Sequence, residues 1–499
     1  MQAEHESLQD YLLHNLTDDQ RSRIAILSFD QWPWTTAAVV EIAVAAHLVG
    51  SEVSVGLWAD FTPHRGIGRT TNRTLARLWG SHSIEDSARK LIQAAGVPKK
   101  AFVRPPINRY SPALPELPVP ATRAAIRRMT YKEASLGRAI LQVHPNMDTP
   151  VREDYVWPRR WVKSSARSFA WVYDQTQALI EQRKLRALVV FNGRFTHDNA
   201  AASAAEALGV KTLFFDYGGS DTHFDLSTAS THDWDYFQQR MRAMWDHWGP
   251  DRENIARAWF TDRENHAAPG MEAFVGNQDR NYLPELPRAK RLVVFFSSSG
   301  DEIAELDLDW SQFFGSQEEA LLALARICHE LPDTELVVRT HPHMLSKPED
   351  DRIRWIHAVN SIGMNTHIPP ESPTDSYALM QRADRIVTYG STTGIEAAFR
   401  NKAVAVLGPC AYDLLGCAQP IKSADKLARW LEDPHATQPE LALPFGLMMQ
   451  RRGFNLSWLG KSRDGEFSRG DLRLDEAPPV IRKLSHLLQA ARVRWLTAR

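Results

Sequence analysis

Cysteine is scarce in this chain, with three (Cys328, Cys410 and Cys417) among 499 residues. Three cannot build a disulfide framework, and the spacing of Cys410 and Cys417 matches no zinc pattern. All three are expected to be packing residues in a reducing cytoplasm. A surplus of either charge is also missing, since Lys+Arg number 59 and Asp+Glu 60. Without excess cations no general affinity for a phosphate backbone is expected, which excludes nucleic acid as a broad partner. No run approaches the roughly 18 apolar residues that a spanning helix requires. The polar start, MQAEHESLQDYLLHNLTDDQRSR, lacks the basic-then-apolar pattern of a secretory leader. A soluble cytoplasmic protein is expected, with peripheral association at the inner face of a membrane left open. Tryptophan, by contrast, is abundant: the chain has 16, and ten of them precede residue 250.

Apolar runs alternate with helical patterns along most of the chain. RIAILSFD (Arg23–Asp30), a helical stretch from Thr35 to Leu48, and EVSVGLWAD after Gly50 predict strand, helix and strand of one βαβ unit. The Pro-rich stretch Arg104–Pro120 is expected as a surface loop, because proline suits neither helix interiors nor central strands. The pattern resumes with a strand over Leu185–Arg194 and a helix from Thr196 stopping at Gly209. A further strand then carries Asp216 at its polar end, and Trp234–Pro269 reads as helical. After an expected linker, Asn277–Lys290, a second series starts at RLVVFFSSSGDE (Arg291–Glu302). Ser316 with Glu319 has capping-box spacing, and Ser372 with Pro373 and Asp375 predicts another helix start. The fold class implied is α/β, with two Rossmann-like doubly wound domains facing a central cleft. The expected division is 1–276, 277–478, and a final helix over 479–499 that packs back on the first domain by analogy.

In open parallel sheets, ligands bind outside the carboxyl ends of the strands, and four polar clusters fall at such ends. In Gly390-Ser-Thr-Thr-Gly394 a strand opens into hydroxylated residues and then a helix. Its backbone N–H groups, with Ser391, Thr392 and Thr393, would face a phosphate, and Glu396 would accept from a ribose diol. The alternative is a tight capped βα turn. In Arg339-Thr-His-Pro-His343, Pro342 restrains the residue before it, fixing His341. His341, or less directly His343 and Arg339, could then contact a phosphate or a departing nucleotide. The alternative is a histidine that caps a neighbouring helix. Asp216, followed by Tyr217, Gly218 and Gly219, could deprotonate an alcohol, or could simply form a turn. Asp30 is the competing base, and Trp32 and Trp34 beside it could stack on sugar faces or pack in the core. Asn192 and Arg194 could bind acceptor hydroxyls or an anion, or Arg194 could pair with a helix carboxylate.

Asp216-Tyr217-Gly218, His341-Pro342 and Ser391-Thr392-Thr393 occur in the order of three motifs. Together they resemble the acidic-x-Gly, His-Pro and Ser/Thr motifs of bacterial GT-B glycosyltransferases that use CMP-activated sugars. Those include sialyltransferases and the capsule-type transferases of 3-deoxy-manno-octulosonic acid (Kdo). The stretches Asn192–Asp216 and Ser372–Leu407 look most like the capsular-polysaccharide branch. The C-terminal half is also similar to the glycerophosphotransferases of teichoic acid synthesis. The resemblance implies Asp216 as the base, His341 as the donor-phosphate contact that assists departure, and Ser391 and Thr392 on the same phosphate. The loop Ser297-Ser298-Ser299-Gly300 resembles one that approaches the nucleotide. The function implied is metal-independent, inverting transfer from a nucleotide-sugar to a glycan or glycolipid, with no cofactor. Asp307 and Asp309 have the spacing of a metal-binding pair but read as a helix start. Other readings are a sugar-nucleotide epimerase, a CDP-glycerol-type phosphotransferase and a non-catalytic nucleotide-binding partner in polysaccharide assembly.

Overall fold

The computed structural model describes residues 7–59, 83–107, 113–142, 153–230, 232–265, 278–298, 305–306, 314–363, 366–434, 437–474 and 487. The apolar runs become the strands of two sheets. In the first, β1 (Arg23–Ser28), β2 (Glu52–Leu57), β3 (Ala187–Phe191) and β4 (Lys211–Tyr217) run parallel, and β5 (His223–Ser227) runs antiparallel beside β4. Their spatial order is β5-β4-β3-β1-β2. The second sheet contains β6 (Arg291–Phe296), β7 (Thr334–Arg339), β8 (Thr366–Ile368), β9 (Arg385–Thr388), β10 (Ala403–Val406) and β11 (Gln419–Pro420). It is parallel throughout, in the order β11-β10-β9-β6-β7-β8.

Strands covered by helices on both faces need apolar side chains at every position, which is why RIAILS, ALVVF and RLVVFF are nearly uninterrupted. Successive residues of each feed opposite cores. Ile24 and Ile26 enter one core while Ala25 and Leu27 enter the other. In the second sheet, Leu292 and Val294 part from Val293 and Phe295 in the same way. Each sheet is therefore the middle layer of three. Most of the tryptophans with described burial serve these cores, among them Trp58, Trp157, Trp161, Trp355 and Trp430. Residues 104–107 and 113–120 contain neither helix nor strand, as their prolines require. Ser316 caps its helix by accepting from the Glu319 N–H. At the next predicted start, the cap is Asp375 and not Ser372: the Asp375 carboxylate accepts from Tyr377 N, and the helix runs Ser376–Arg382.

The chain crosses between the two units elsewhere than at the expected 276/277 boundary. Helices Trp234–His247 and Arg252–Glu264 bury Met241, Met244 and Phe260 in the core of the second sheet. The first crossing thus follows β5. The return comes after helix Leu443–Arg451, where β12 (Phe454–Asn455) pairs antiparallel with β5 on the edge of the first sheet. Phe454, Leu459, Phe467 and Leu474 then enter the first unit's core. A buried carboxylate secures this return. Glu41, on helix Pro33–Leu48, accepts from the backbone N–H groups of Ser457, Trp458 and Leu459 at 3.0, 2.9 and 2.6 Å. Most of the helix expected over 479–499, like Asp307, Asp309 and Trp79, lies outside the described residues. No described helix is long and apolar enough to cross a membrane.

Candidate functional site

Strand order in the second sheet reverses between β6 and β9, and such a point is where ligands of doubly wound sheets bind. Ser297 and Ser298 leave β6, His341 follows β7, and Gly390–Thr393 leave β9. Short hydrogen bonds join the three loops. The His341 N–H donates to Ser297 Oγ at 2.8 Å, and Ser298 Oγ donates to the Tyr389 carbonyl at 2.8 Å. Gly390 turns the chain at φ +82°, and a Cβ there would lie 2.3 Å from the Pro409 carbonyl oxygen. The turn presents Ser391, whose Oγ accepts from Thr393 N at 3.3 Å and donates to Thr393 Oγ1 at 3.1 Å. Tyr412 OH holds the Ser391 carbonyl from behind at 2.6 Å.

Pro342 opens a short 3-10 helix, Pro342–Ser346, with His341 as its cap. His341 Nδ1 accepts from the His343 N–H at 3.1 Å. A neutral imidazole with Nδ1 accepting carries its proton on Nε2, which makes it a donor of the kind a phosphate oxygen needs. Both structural alternatives are realised here: the histidine does cap, and the Ser-Thr-Thr stretch does turn.

The first sheet brings carboxylates together at its own carboxyl ends. Asp216 is the penultimate residue of β4 and is 7% exposed. It accepts from Asn192 Nδ2 at 2.6 Å and from Tyr217 N at 2.7 Å. Asn192 reaches it from the end of β3 with φ +52°, a left-handed conformation that asparagine tolerates better than most residues. Asp30 follows β1 and accepts from Trp32 N at 3.0 Å; burial pushes its carboxyl up to about 6. Asp198, in the first turn of helix Thr196–Ala207, is driven well above the usual carboxylate range. Burial is the main cause, and the charges of Asp30 and Asp216 add to it. Those two charges, after burial, also hold the Tyr217 phenol up at about 12. The charges of the competing bases Asp30 and Asp216 thus both reach Asp198 and Tyr217, which gathers the three carboxyls in one region.

Asp198 and His232 escaped sequence reasoning. An acidic residue in the first turn of a helix is ordinary, since it complements the helix dipole, so Asp198 gave no distinguishing signal. His232 sits in an irregular stretch without pattern, yet its Nε2 lies 3.3 Å from Asn192 Nδ2. Burial, then the charges of Arg194 and Arg452, push its imidazole down to about 3, leaving it neutral.

Other expected residues take structural roles. Arg339 is buried, and its guanidinium donates to the carbonyls of Pro369 at 2.5 Å and Ser372 at 3.3 Å, fixing a loop of its own unit. Glu396 accepts from Tyr377 OH at 2.5 Å and from Arg263 Nε at 3.2 Å, which ties its carboxylate into a buried network. Trp34 stacks on Tyr217 with ring centroids 4.0 Å apart, so one indole face is covered from within the chain. Trp32, half-buried, is the N-cap of helix Pro33–Leu48. The backbone of Arg194 donates to Asn192 Oδ1 at 3.3 Å, and its guanidinium lies 5.2 Å from the Phe195 ring centroid. Gly218 and Gly219 do permit close approach, but by the chain itself: a Cβ at Gly219 would lie 2.4 Å from the Gln450 carbonyl oxygen. Ser299 and Gly300 lie outside the described residues.

No curated protein matches this chain. Among solved structures, two KpsC transferases from Thermosulfurimonas dismutans are similar in part. The beta Kdo 2,4 transferase is 16% identical, with 53% of this chain and 79% of that one covered and a TM-score of 0.36. The beta Kdo 2,7 transferase is 13% identical, with 63% and 89% covered and a TM-score of 0.34. UDP-GlcNAc 2-epimerase from Neisseria meningitidis, bound to UDP-GlcNAc, is 11% identical, with 86% and 97% covered and a TM-score of 0.27. Likeness at these levels leaves the activity to be argued from this chain's own residues. A family comparison is more local and falls on the second unit. Residues 305–443, which contain His341 and the Ser391 turn, match the family described as capsule polysaccharide biosynthesis protein.

Proposed function

We propose that this chain is an inverting, metal-independent GT-B glycosyltransferase of capsule polysaccharide synthesis. It moves a sugar from a CMP-activated donor, such as CMP-Kdo, to a hydroxyl of a bacterial surface glycan or glycolipid at the cytoplasmic face of the membrane. One observation carries the reading. Phosphate-type donors gather at the switch point of one sheet, and carboxylates of different proton affinity gather at the strand ends of the other. The capsule-family match over the first of these regions supports it.

Asp216, oriented by Asn192 and Tyr217, takes the proton of the acceptor hydroxyl. The freed oxygen attacks the anomeric carbon from the face opposite the phosphate, so configuration inverts. The bond from that carbon to the phosphate oxygen breaks, and its electron pair leaves with CMP. His341 Nε2–H, with the amides and hydroxyls of the Ser391 turn, balances the charge that grows on the phosphate. No metal is assigned a part.

The test is a nucleotide screen by thermal shift, followed by assay of nucleotide release with and without a glycan acceptor. CMP should raise the melting temperature more than UDP does, and CMP release should depend on acceptor. Failure of every nucleotide to shift the melting temperature would overturn the reading. Acceptor-independent conversion of a nucleotide-sugar would replace transfer with epimerisation.

A further inference from the structure

The returning segment delivers a buried arginine, Arg452, that has no ion pair of its own among the described residues. Arg452 is 8% exposed, and among the described residues its Nε meets no hydrogen-bond acceptor. The carboxylate that feels its charge, Asp225, is already held by Arg240 through two bonds of 2.6 Å each. The Arg452 guanidinium lies 6.0 Å from the Phe237 ring centroid, and its charge also reaches His232. A buried guanidinium without an anion carries a desolvation cost, and folds keep such costs mainly where function requires them.

Its address is the carboxylate cluster. Asp225 stands directly opposite Asp216 in the β4–β5 register, a separation of one side-chain neighbour. His232 touches Asn192, which holds Asp216. The Arg452 carbonyl accepts from Gly219 N at 2.8 Å, three residues beyond Asp216. We propose that Arg452, beside Arg194 and His232, is an oxyanion-recognition site for the acceptor. It takes a carboxylate or phosphate that the glycan carries close to the hydroxyl presented to Asp216. The planar guanidinium fork fits either group through two parallel N–H bonds. This deepens the transferase reading and rests on it for the word acceptor, although the anion site itself does not.

Binding to the full chain separates the two claims, because it requires neither nucleotide nor turnover. The probes are sodium glucuronate, glycerol 1-phosphate and the uncharged methyl ester of glucuronate, titrated by calorimetry at fixed ionic strength. Wild-type protein should bind at least one anion more tightly than the ester, and the preferred anion identifies carboxylate or phosphate as the source. Arg452→Met should weaken that anion about 10- to 100-fold, the loss expected for a charge-assisted pair, and leave the ester unchanged. Arg452→Lys, which keeps charge without the fork, should fall between and guards against misfolding of the first variant. Equal affinity for anion and ester in wild type would overturn the proposal. So would an anion preference that survives in both variants.

Discussion

The carboxyl ends of the two sheets solve different electrostatic problems with different materials. The second sheet offers backbone amides, hydroxyls and one imidazole, organised by a glycine turn and by hydrogen bonds between adjacent loops. The first gathers three carboxyls, a neutral histidine and several arginines in buried surroundings, where proton affinities diverge widely. Groups of the first kind bind an anion without a change of state. Groups of the second kind can exchange protons, because burial raises the proton affinity of Asp198 and Asp30 while Asp216 accepts from Asn192 and Tyr217. On the reading proposed above, one face holds the leaving group and the other activates the nucleophile.

If that division holds, the largest effects should separate cleanly. Asp216→Asn should lower turnover by about 10²–10⁴-fold, the usual contribution of a general base. Nucleotide affinity by calorimetry and the melting temperature should stay near wild type. His341→Ala should lower turnover by about 10²-fold through loss of one donor to the departing phosphate. It should also weaken CMP binding, which Asp216→Asn leaves alone. Equal damage to nucleotide binding by both changes would dissolve the distinction.

The same contrast explains what the sequence revealed. Ser297, His341 and Ser391 follow β6, β7 and β9 of one continuous α/β series, so each strand end placed its own residue near the switch point. The first region is built from residues 30, 192–198, 216, 232 and 450–452, and only the fold brings these together. Asp30, Asn192 and Asp216 were legible because each ends an apolar run. Asp198 was hidden by an ordinary helix start, and His232 by an irregular stretch. Gly218 and Gly219 did mark close approaches, by His223 at Gly218 and, at Gly219, by a segment more than two hundred residues away. Arg339 and Glu396 also make structural bonds that the sequence did not signal, because strand ends and first turns supply the buried ties that hold loops and helices in place.

Glu41 allows the first region to be loosened while the second is spared. Its carboxylate takes three backbone N–H groups of the returning segment and the Ser457 hydroxyl. Glu41→Ala leaves those amides without their partner and should cost about 3–5 kcal/mol of stability by denaturant titration. Limited proteolysis should then cut near residues 452–460, whereas the wild type resists. Because the donor loops lie in the other unit, CMP binding should persist at temperatures below the lowered transition. Loss of nucleotide binding in the folded variant would mean that the two regions are more tightly coupled than their separate sheets suggest.

Asp30 yields the smallest effect and the finest discrimination, because its sign is opposite to that of a salt-bridged carboxylate. Its folded carboxyl lies at about 6, above the ordinary 3.8, because burial disfavours the charge. The native state therefore holds this proton more tightly than the unfolded chain does. Its contribution to stability falls as pH rises from about 4 to about 6, and the penalty is constant above that window. Asp30→Asn removes the penalty, so the variant should gain up to about 3 kcal/mol at pH 7.5 and nothing below pH 4. Paired denaturant titrations at the two pH values measure the difference. Transfer activity of the same variant settles which carboxylate is the base. If Asp216 is, Asp30→Asn should keep most of its activity at pH 7.5 and lose only an acid limb near pH 6 from its pH–rate profile. If the stabilised variant is as inactive as Asp216→Asn, the roles are exchanged: the group near pKa 6 takes the proton, and Asp216 orients the acceptor.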